Sequence, residues 1–202
     1  MAEDARLVEA LARADEATFI EVVDRYQPAM FRLALTYTSS RAVAEEVVQE
    51  AWLGLLDGIK RFEGRSSLRT WLLRIVTNIA RRRAQREGRS IPFSSLDRET
   101  ESGEPAVEPR RFGTDRDWSA PPQSWAGLPE DRLFSQETMD HVRAAVEALP
   151  ELQRQVIMLR DIDGLSGDEV CNVLLLSDTN QRVLLHRARS KVRARMEQYL
   201  KQ

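Results

Sequence analysis

A stretch of 45 residues with an unusual composition divides this chain of 202 residues in two. Residues 90–134 contain six of the eight prolines, interspersed with glycines, serines and acidic residues. Proline lacks a backbone donor and fixes φ, so neither helices nor sheets tolerate it at this density, and such a composition is typical of a linker. The chain is therefore predicted to fold as two small units rather than as one domain.

Both flanking segments have the hydrophobic periodicity of α-helices. Apolar residues recur at steps of three and four along three stretches before the linker, the last of them from Ser66 to Arg86, and again beyond it. Pro28 interrupts the first stretch and predicts a bend or a break there. The predicted fold class is all-α, with helical domains at residues 1–90 and 135–202 joined by a flexible linker at 91–134.

Five aromatic residues make the linker too apolar for an inert tether. They are Phe93, Phe112, Trp118, Trp125 and Phe134. Exposed aromatic side chains are unusual in a disordered segment. We expect them to dock either on the chain's own domains or on a partner, and the sequence leaves both possibilities open.

The net charge of −2 conceals two basic segments. Residues 60–89 carry ten basic side chains against two acidic ones, and residues 181–202 carry seven against one. Binding to DNA depends on neutralised phosphates, so two basic segments in an acidic chain predict two separate contacts with an anionic partner. The alternative interpretation is that both segments are ordinary solvated helix faces.

Several functional classes find no support in the sequence. Cys171 has no second cysteine to pair with, and neither His141 nor His186 has metal-binding neighbours at ligand spacing, so no disulfide, metal site or cofactor is predicted. No catalytic constellation appears, and the chain is not predicted to be an enzyme. No apolar segment is long enough to span a membrane and no secretory signal is present, which predicts a cytoplasmic protein without membrane insertion.

The C-terminal segment has the pattern of a helix-turn-helix. Ser166 and Glu169 have the spacing of a capping box at the start of a short helix. A turn at 175–178 and a long basic helix from about Thr179 to Leu200 follow. In such a unit the second helix can enter the major groove, where arginine recognises guanine edges and phosphates.

Three segments resemble conserved regions of one family. They are AEEVVQEAWLGLL at 44–56, RFEGRSSLRTWLLRIVTNIARRRAQR at 61–86, and LPELQRQVIMLRDIDGLSGDEVCNVLLLSDTNQRVLLHRARSKVR at 149–193. In this order, on both sides of a linker, they resemble the bacterial extracytoplasmic-function (ECF) sigma factors, group IV of the primary-type sigma family. The resemblance covers more than half of the chain.

The resemblance implies a sigma factor that binds core RNA polymerase and promoter DNA. The residues implied for core-polymerase binding are Glu45, Glu46, Gln49, Glu50 and Trp52. Those implied for the downstream promoter element and its melting are Phe62, Gly64, Ser66, Ser67, Trp71, Asn78, Arg81, Arg82, Arg83 and Arg86. Those implied for the upstream element are Asn180, Gln181, Arg182, Val183, His186 and Arg187. Asn78 would help to read a flipped base in a pocket formed by the 62–67 loop.

The family resemblance further implies a monomer when free, control by an anti-sigma factor, and a linker that threads through the polymerase. Two departures from the family pattern are Leu175, where most relatives have glycine, and the pair Asn180 and Gln181, whose amides are able to recognise adenine. Two rival interpretations are a conventional helix-turn-helix repressor or activator and a polymerase-binding anti-activator. Neither explains the arginine-rich segment around Asn78.

Overall fold

The computed structural model describes residues 2–38, 40–86 and 136–200, and every regular element within them is a helix. The predicted all-α fold class is confirmed. The predicted linker at 91–134, with its aromatic side chains, lies outside the described residues.

The helices before the linker form the N-terminal domain. They are α1 (Ala2–Ala12), α2 (Glu16–Tyr37), α3 (Arg41–Gly58) and α4 (Leu68–Arg86), with a 3-10 turn at Ile59–Arg61. Capping residues define two of the starts: Asp15 accepts a hydrogen bond from the Thr18 amide at 2.7 Å, and Ser40 accepts one from the Val43 amide at 3.4 Å. These side chains satisfy amides that have no partner inside the helix.

Helix α1 was not anticipated from the sequence, yet it fixes the start of α4. Its residues Leu7 and Leu11 are buried in the N-terminal core. Asp4 accepts a hydrogen bond from the Leu68 amide at 3.1 Å. A carboxylate at this position interacts favourably with the positive end of α4.

The sequence predicted a bend or a break at Pro28, and the break is wrong, because α2 continues through this residue. Pro28 is exposed, while Tyr26, Met30 and Leu33 on the two sides of it are buried. A proline inside a helix removes one hydrogen bond and costs roughly 3 kcal/mol. Burial of the neighbouring apolar face offsets this cost and holds the helix together.

The helices after the linker form the C-terminal domain. They are α5 (Gln136–Glu147), α6 (Glu151–Ile157), α7 (Gly167–Leu174) and α8 (Asp178–Leu200), with a π-helical turn at Met158–Ile162 that the sequence did not predict. Helix α8 packs against the other three through buried Leu184 and Ala188. It thereby closes a small core around Val156 and Val170.

The two domains pack against each other. Helix α4 contacts α7 along much of its length, and α2 contacts α6. At the second contact, Arg154 Nη2 donates to the Thr36 carbonyl at 2.9 Å. The helix-turn-helix thus lies against the helix that carries the first basic segment.

Candidate nucleic-acid and protein interfaces

Helix α3 presents an acidic face to solvent. Glu45, Glu46, Gln49 and Glu50 are all exposed. Trp52 lies on the other side, where it is 9% exposed and makes an edge-to-face contact with Phe19 at a centroid distance of 5.8 Å. The predicted polymerase-binding residues therefore separate into four surface groups and one ring that supports the helix from inside.

Two leucines extend the acidic face of α3 with apolar surface. Leu53 is 63% exposed and Leu56 is 46% exposed. Acidic side chains beside exposed leucines suit a partner surface that is basic and partly apolar.

Asn78 lies at the rim of a cleft between α3 and α4. The side chain is exposed, and the cleft has a volume of about 320 Å³. Its lining residues are Glu50, Leu53, Gly54, Asp57, Ile75, Asn78, Ile79 and Arg82. An amide at the edge of a partly apolar cleft has the donor and acceptor needed to recognise a base edge.

The 62–67 loop occupies a different position on the N-terminal domain. Phe62 packs on Trp71 with the ring centroids 5.1 Å apart, and both residues are half-buried. Gly64 has φ of +67°, a conformation that favours glycine. Trp71 and Asn78 are seven residues apart on α4, about 10 Å along the helix axis. None of residues 62–67 is among those that line the cleft of Asn78.

The arginines near the end of α4 have partners within the chain. Arg83 forms an ion pair with Glu46, and Arg82 Nη2 lies 3.9 Å from Glu50 Oε1. Arg81 Nη2 donates to the carbonyl of Leu174 at 2.7 Å, across the domain boundary. Acids predicted to bind polymerase and arginines predicted to bind DNA are thus direct neighbours, which places the two predicted surfaces side by side.

The helix-turn-helix has the capping box that the sequence predicted. The Ser166 hydroxyl accepts from the Glu169 amide at 3.2 Å, and Glu169 Oε2 accepts from the Ser166 amide at 2.9 Å. The turn after α7 is made by Leu175 in the left-handed conformation, with φ of 58° and ψ of 44°. Leu175 thus adopts the backbone geometry that glycine usually provides at a helix C-terminus.

The predicted upstream-element residues do not all lie on one surface of α8. Arg182 and His186 are exposed, whereas Asn180, Val183 and Arg187 are half-buried. Gln181 is only 3% exposed and packs close to Gly167, the first residue of α7. Its amide therefore faces the interior of the helix-turn-helix and not the exposed face.

Sequence reasoning missed a set of residues between the domains. Asp163 is buried against Arg32 and Arg69, and Glu169 accepts from Ser67 and Thr70. Burial alone would raise the pKa of Glu169, but hydrogen bonds from the Ser166 amide, Thr70, the Ser166 side chain and Ser67 together lower it below its usual value. Glu169 is therefore ionised at neutral pH.

In the part of the chain that the structure describes, none of the helices is long and apolar enough to cross a membrane. Within 2–38, 40–86 and 136–200, no cluster of three or more His, Cys, Asp or Glu side chains is arranged as metal ligands.

Family models match both domains of the chain. Sigma-70 region 2 matches residues 22–90, and sigma-70 region 4 matches residues 140–192. A conventional helix-turn-helix regulator would account for only the second match. The two regions together define the class of protein as a sigma-70-type transcription initiation factor.

Similarity to known proteins extends over nearly the whole length. The ECF RNA polymerase sigma-E factor of Escherichia coli is 32% identical over 189 residues, covering 94% of this chain and 92% of that protein. The RNA polymerase sigma-H factor of Pseudomonas aeruginosa is 27% identical over 203 residues, covering 99% and 97%. The chain belongs to the extracytoplasmic-function sigma factors of RNA polymerase.

Two solved structures share the fold. CnrH in complex with the cytosolic domain of CnrY has a TM-score of 0.58 at 21% identity, with 95% of each chain covered. The sigma factor RpoE in complex with the anti-sigma factor NepR from Bartonella quintana has a TM-score of 0.58 at 19% identity, covering 89% of this chain and 96% of that one.

Proposed function

We propose that this sigma factor divides promoter recognition between α4 and α8 and binds core RNA polymerase through the acidic face of α3. It acts in the cytoplasm as a monomeric binding protein without a catalytic centre of its own. The domain limits we assign are 1–90 and 135–202. The observation that carries the proposal is that an exposed acidic helix, α3, lies directly beside a basic helix, α4, in one domain, while a second basic helix lies in a helix-turn-helix.

The acidic face of α3 suits a basic surface of the polymerase. Glu45, Glu46, Gln49 and Glu50 are exposed together, and Leu53 adds apolar area that is 63% exposed. Charge complementarity speeds the encounter and fixes the orientation, while apolar burial supplies affinity. Trp52 contributes by holding α3 in place against Phe19 and not by touching the partner.

Helix α4 reads and melts the downstream promoter element. Asn78 at its cleft supplies an amide for the edge of a flipped base, while Arg82 in the same cleft and Arg86, exposed one turn further along α4, serve backbone phosphates. Unstacking a base costs a few kcal/mol, so capture of the extruded base favours the open duplex without ATP. Phe62 and Trp71 shape the adjoining surface, where a second unpaired base is able to stack.

Helix α8 reads the upstream element in the major groove. Arg182 and His186 are exposed on its N-terminal half, and Arg187 lies next to them. Arg189 is held by two hydrogen bonds to Asp161, at 2.9 and 2.6 Å, which fix α8 against the π-helical turn. A helix anchored in this way presents its reading face in a defined orientation.

An inhibitory protein partner is a further part of the proposal. The RpoE structure similar to this chain is a complex with the anti-sigma factor NepR. We expect a protein of the same class, encoded near this sigma factor, to bind it and hold it inactive. Co-expression of the neighbouring genes with this chain tests this, and independence from any inhibitor in the cell would contradict it.

Run-off transcription from a genomic promoter library tests the function as a whole. Core polymerase is assayed with and without the protein, and specific transcripts are expected only with it. Asn78→Ala and Arg187→Ala should each lose those transcripts, whereas Arg13→Ala, at an exposed position just after α1, should keep them. An absence of transcripts combined with tight promoter binding by the free protein would instead favour a conventional regulator.

A further inference from the structure

A buried carboxylate of the C-terminal domain is held by two arginines of the N-terminal domain. The Asp163 side chain is 1% exposed, and its Oδ1 pairs with Arg32 and lies 3.8 Å from Arg69 Nη2. Arg69 also donates to the Asp163 carbonyl, while Asp163 Oδ2 has no hydrogen-bond partner in the described structure. Desolvation of such a pair offsets much of its attraction, but removal of one partner leaves the other charge uncompensated, so loss of the Asp163 charge destabilises the closed contact.

A second carboxylate joins the first turns of two helices. Glu169 Oε1 accepts from Thr70 Oγ1 at 2.9 Å and from Ser67 Oγ at 3.2 Å. Its other oxygen accepts from the Ser166 amide at the start of α7. Ser67 also caps α4, because its hydroxyl accepts from the Thr70 amide at 3.1 Å. The positive ends of α4 and α7 therefore meet at one negative charge.

Further along α4, two arginines on the same side of the helix also donate hydrogen bonds to α7. Arg74 Nη1 donates to Asn172 Oδ1 at 3.0 Å, and Arg81 Nη2 donates to the Leu174 carbonyl at 2.7 Å. These donors lie at helical spacing and form one surface, which we call the α4 donor face. Its members are Ser67, Arg69, Thr70, Arg74 and Arg81.

The chemistry of the α4 donor face is that of a phosphate-binding surface. Three guanidiniums and two hydroxyls are the groups that most often contact the DNA backbone. In this structure every one of them is occupied by a carboxylate, an amide oxygen or a carbonyl of the C-terminal domain. Asn78 and Arg82 lie outside this contact, so only one flank of α4 is covered.

The chain between the domains is long enough to let them separate. Residues 87–135 comprise 49 positions, and an extended chain spans at most roughly 3.3–3.6 Å per residue. The connection therefore does not force α7 to remain on α4. The closed arrangement depends on the contacts across the interface.

We propose that the α4 donor face binds promoter phosphates, and that the helix-turn-helix domain covers it in the free protein with Asp163 and Glu169 in the places of phosphates. This inference rests on the promoter-melting role proposed for α4. It adds Arg69, Thr70 and Arg74 to the DNA contacts. DNA and α7 compete for one surface, so simultaneous binding of both promoter elements requires the domains to open.

The first test compares the wild type with the double variant Asp163→Asn, Glu169→Gln. Glutamine serves a capping box as well as glutamate, so α7 keeps its cap. The Asp163 substitution removes the negative charge that Arg32 and Arg69 contact. These contacts exist only in the closed form, so their loss shifts the equilibrium to the open form. Small-angle X-ray scattering should show a larger radius of gyration, and a fluorescent DNA duplex of arbitrary sequence should bind roughly tenfold more tightly.

A matched control separates opening from the change in charge. Glu137→Gln, Asp168→Asn neutralises the same two residue types at exposed positions of the C-terminal domain. It should leave the scattering profile unchanged and strengthen duplex binding less than the double variant does. Equal behaviour of the two variants in both measurements would overturn the proposal, as would opening of the double variant without a gain in duplex affinity.

A second variant acts in the opposite direction and does not depend on weakening the fold. Asn172→Asp places a carboxylate 3.0 Å from the Arg74 guanidinium, where a charge-assisted hydrogen bond should hold the domains closed. Its duplex binding should fall below that of Gln198→Glu, an exposed control with the same added charge. Equal affinities of these two variants would contradict the competition. Scattering does not depend on transcription, so failure here is distinguishable from failure of the sigma function, which run-off transcription tests.

Discussion

Helices α4 and α8 are both long and rich in arginine, but they use these side chains differently. Arg74 and Arg81 of α4 donate to the other domain, and Arg83 pairs with α3. On α8, Arg182 pairs with Asp178 one turn earlier in the same helix, in an exposed i,i+4 contact. Such surface pairs are worth little, so Arg182 is available for DNA at low cost.

This difference shows that the net charge of a segment does not reveal whether its side chains are accessible to DNA. Both segments have the basic excess expected of a nucleic-acid contact. In the closed arrangement α8 keeps its exposed arginine and histidine, whereas one flank of α4 is covered by α7. The helix expected to melt DNA is therefore the less accessible of the two in the free protein.

The largest expected effect comes from core truncations, which test whether the two domains unfold independently. Leu184 is buried in the C-terminal core, and truncation to alanine should destabilise that domain by about 2–5 kcal/mol. Hydrogen exchange should accelerate in α5–α8 while α2–α4 remain protected. Leu72→Ala, the equivalent change in the N-terminal core, should give the reverse pattern. Equal loss of protection in both domains after either change would mean that they unfold as one unit.

The next effect concerns duplex binding by the free protein. Arg182→Ala should lower the slope of binding against salt concentration by about one, since one phosphate contact is lost. Arg81→Ala should leave the slope unchanged in the wild-type background, because α7 covers this residue, and should lower it in the opened Asp163→Asn, Glu169→Gln background. An equal effect of Arg81→Ala in both backgrounds would show that α4 is already accessible.

The N-terminal caps of α3 and α7 differ in how many hydrogen bonds they form, so their removal should differ in cost. Ser166→Ala removes a reciprocated capping box and should cost about 1 kcal/mol in chemical denaturation. Ser40→Ala removes a single, longer hydrogen bond of 3.4 Å and should cost less. A larger loss of stability for Ser40→Ala would show that capping geometry does not determine which of the two substitutions costs more.

The smallest expected effect is a gain in stability. Leu175 adopts φ of 58°, which strains a residue with a side chain. Leu175→Gly should raise the stability of the C-terminal domain by about 0.5 kcal/mol, because relief of this strain exceeds the added entropy of glycine. Thermal unfolding measures it. A lower melting temperature would instead indicate that the packing of the leucine side chain dominates.

Local features of the fold were predictable from the sequence because each depends on residues close together in the chain. The capping box needs only Ser166 and Glu169, and the exposure of Glu45, Glu46 and Glu50 follows from the helical period. The continuous helix at Pro28 was missed because the proline rule is local, whereas the burial of Tyr26, Met30 and Leu33 depends on how α2 packs in the domain. The interior position of Gln181 was missed for a similar reason, since it depends on the close approach of α7 and α8.

The interdomain contacts were beyond sequence reasoning altogether. Asp163 has its partner Arg32 131 positions earlier in the chain. No periodicity or local motif connects residues at such a separation. Glu169 was recognised as a cap, but the second oxygen that accepts from Ser67 and Thr70 leaves no trace in the sequence pattern.

Footprinting on a promoter found by run-off transcription tests the division between α4 and α8 most directly. Holoenzyme with Asn78→Ala should still protect the upstream element from nuclease but should lose the permanganate reactivity of melted thymines. Holoenzyme with Arg182→Ala should weaken upstream protection, and the DNA that it does bind should still melt. If either variant removes both signals together, or if Asn78→Ala leaves melting intact, the two helices do not have the separate roles assigned to them.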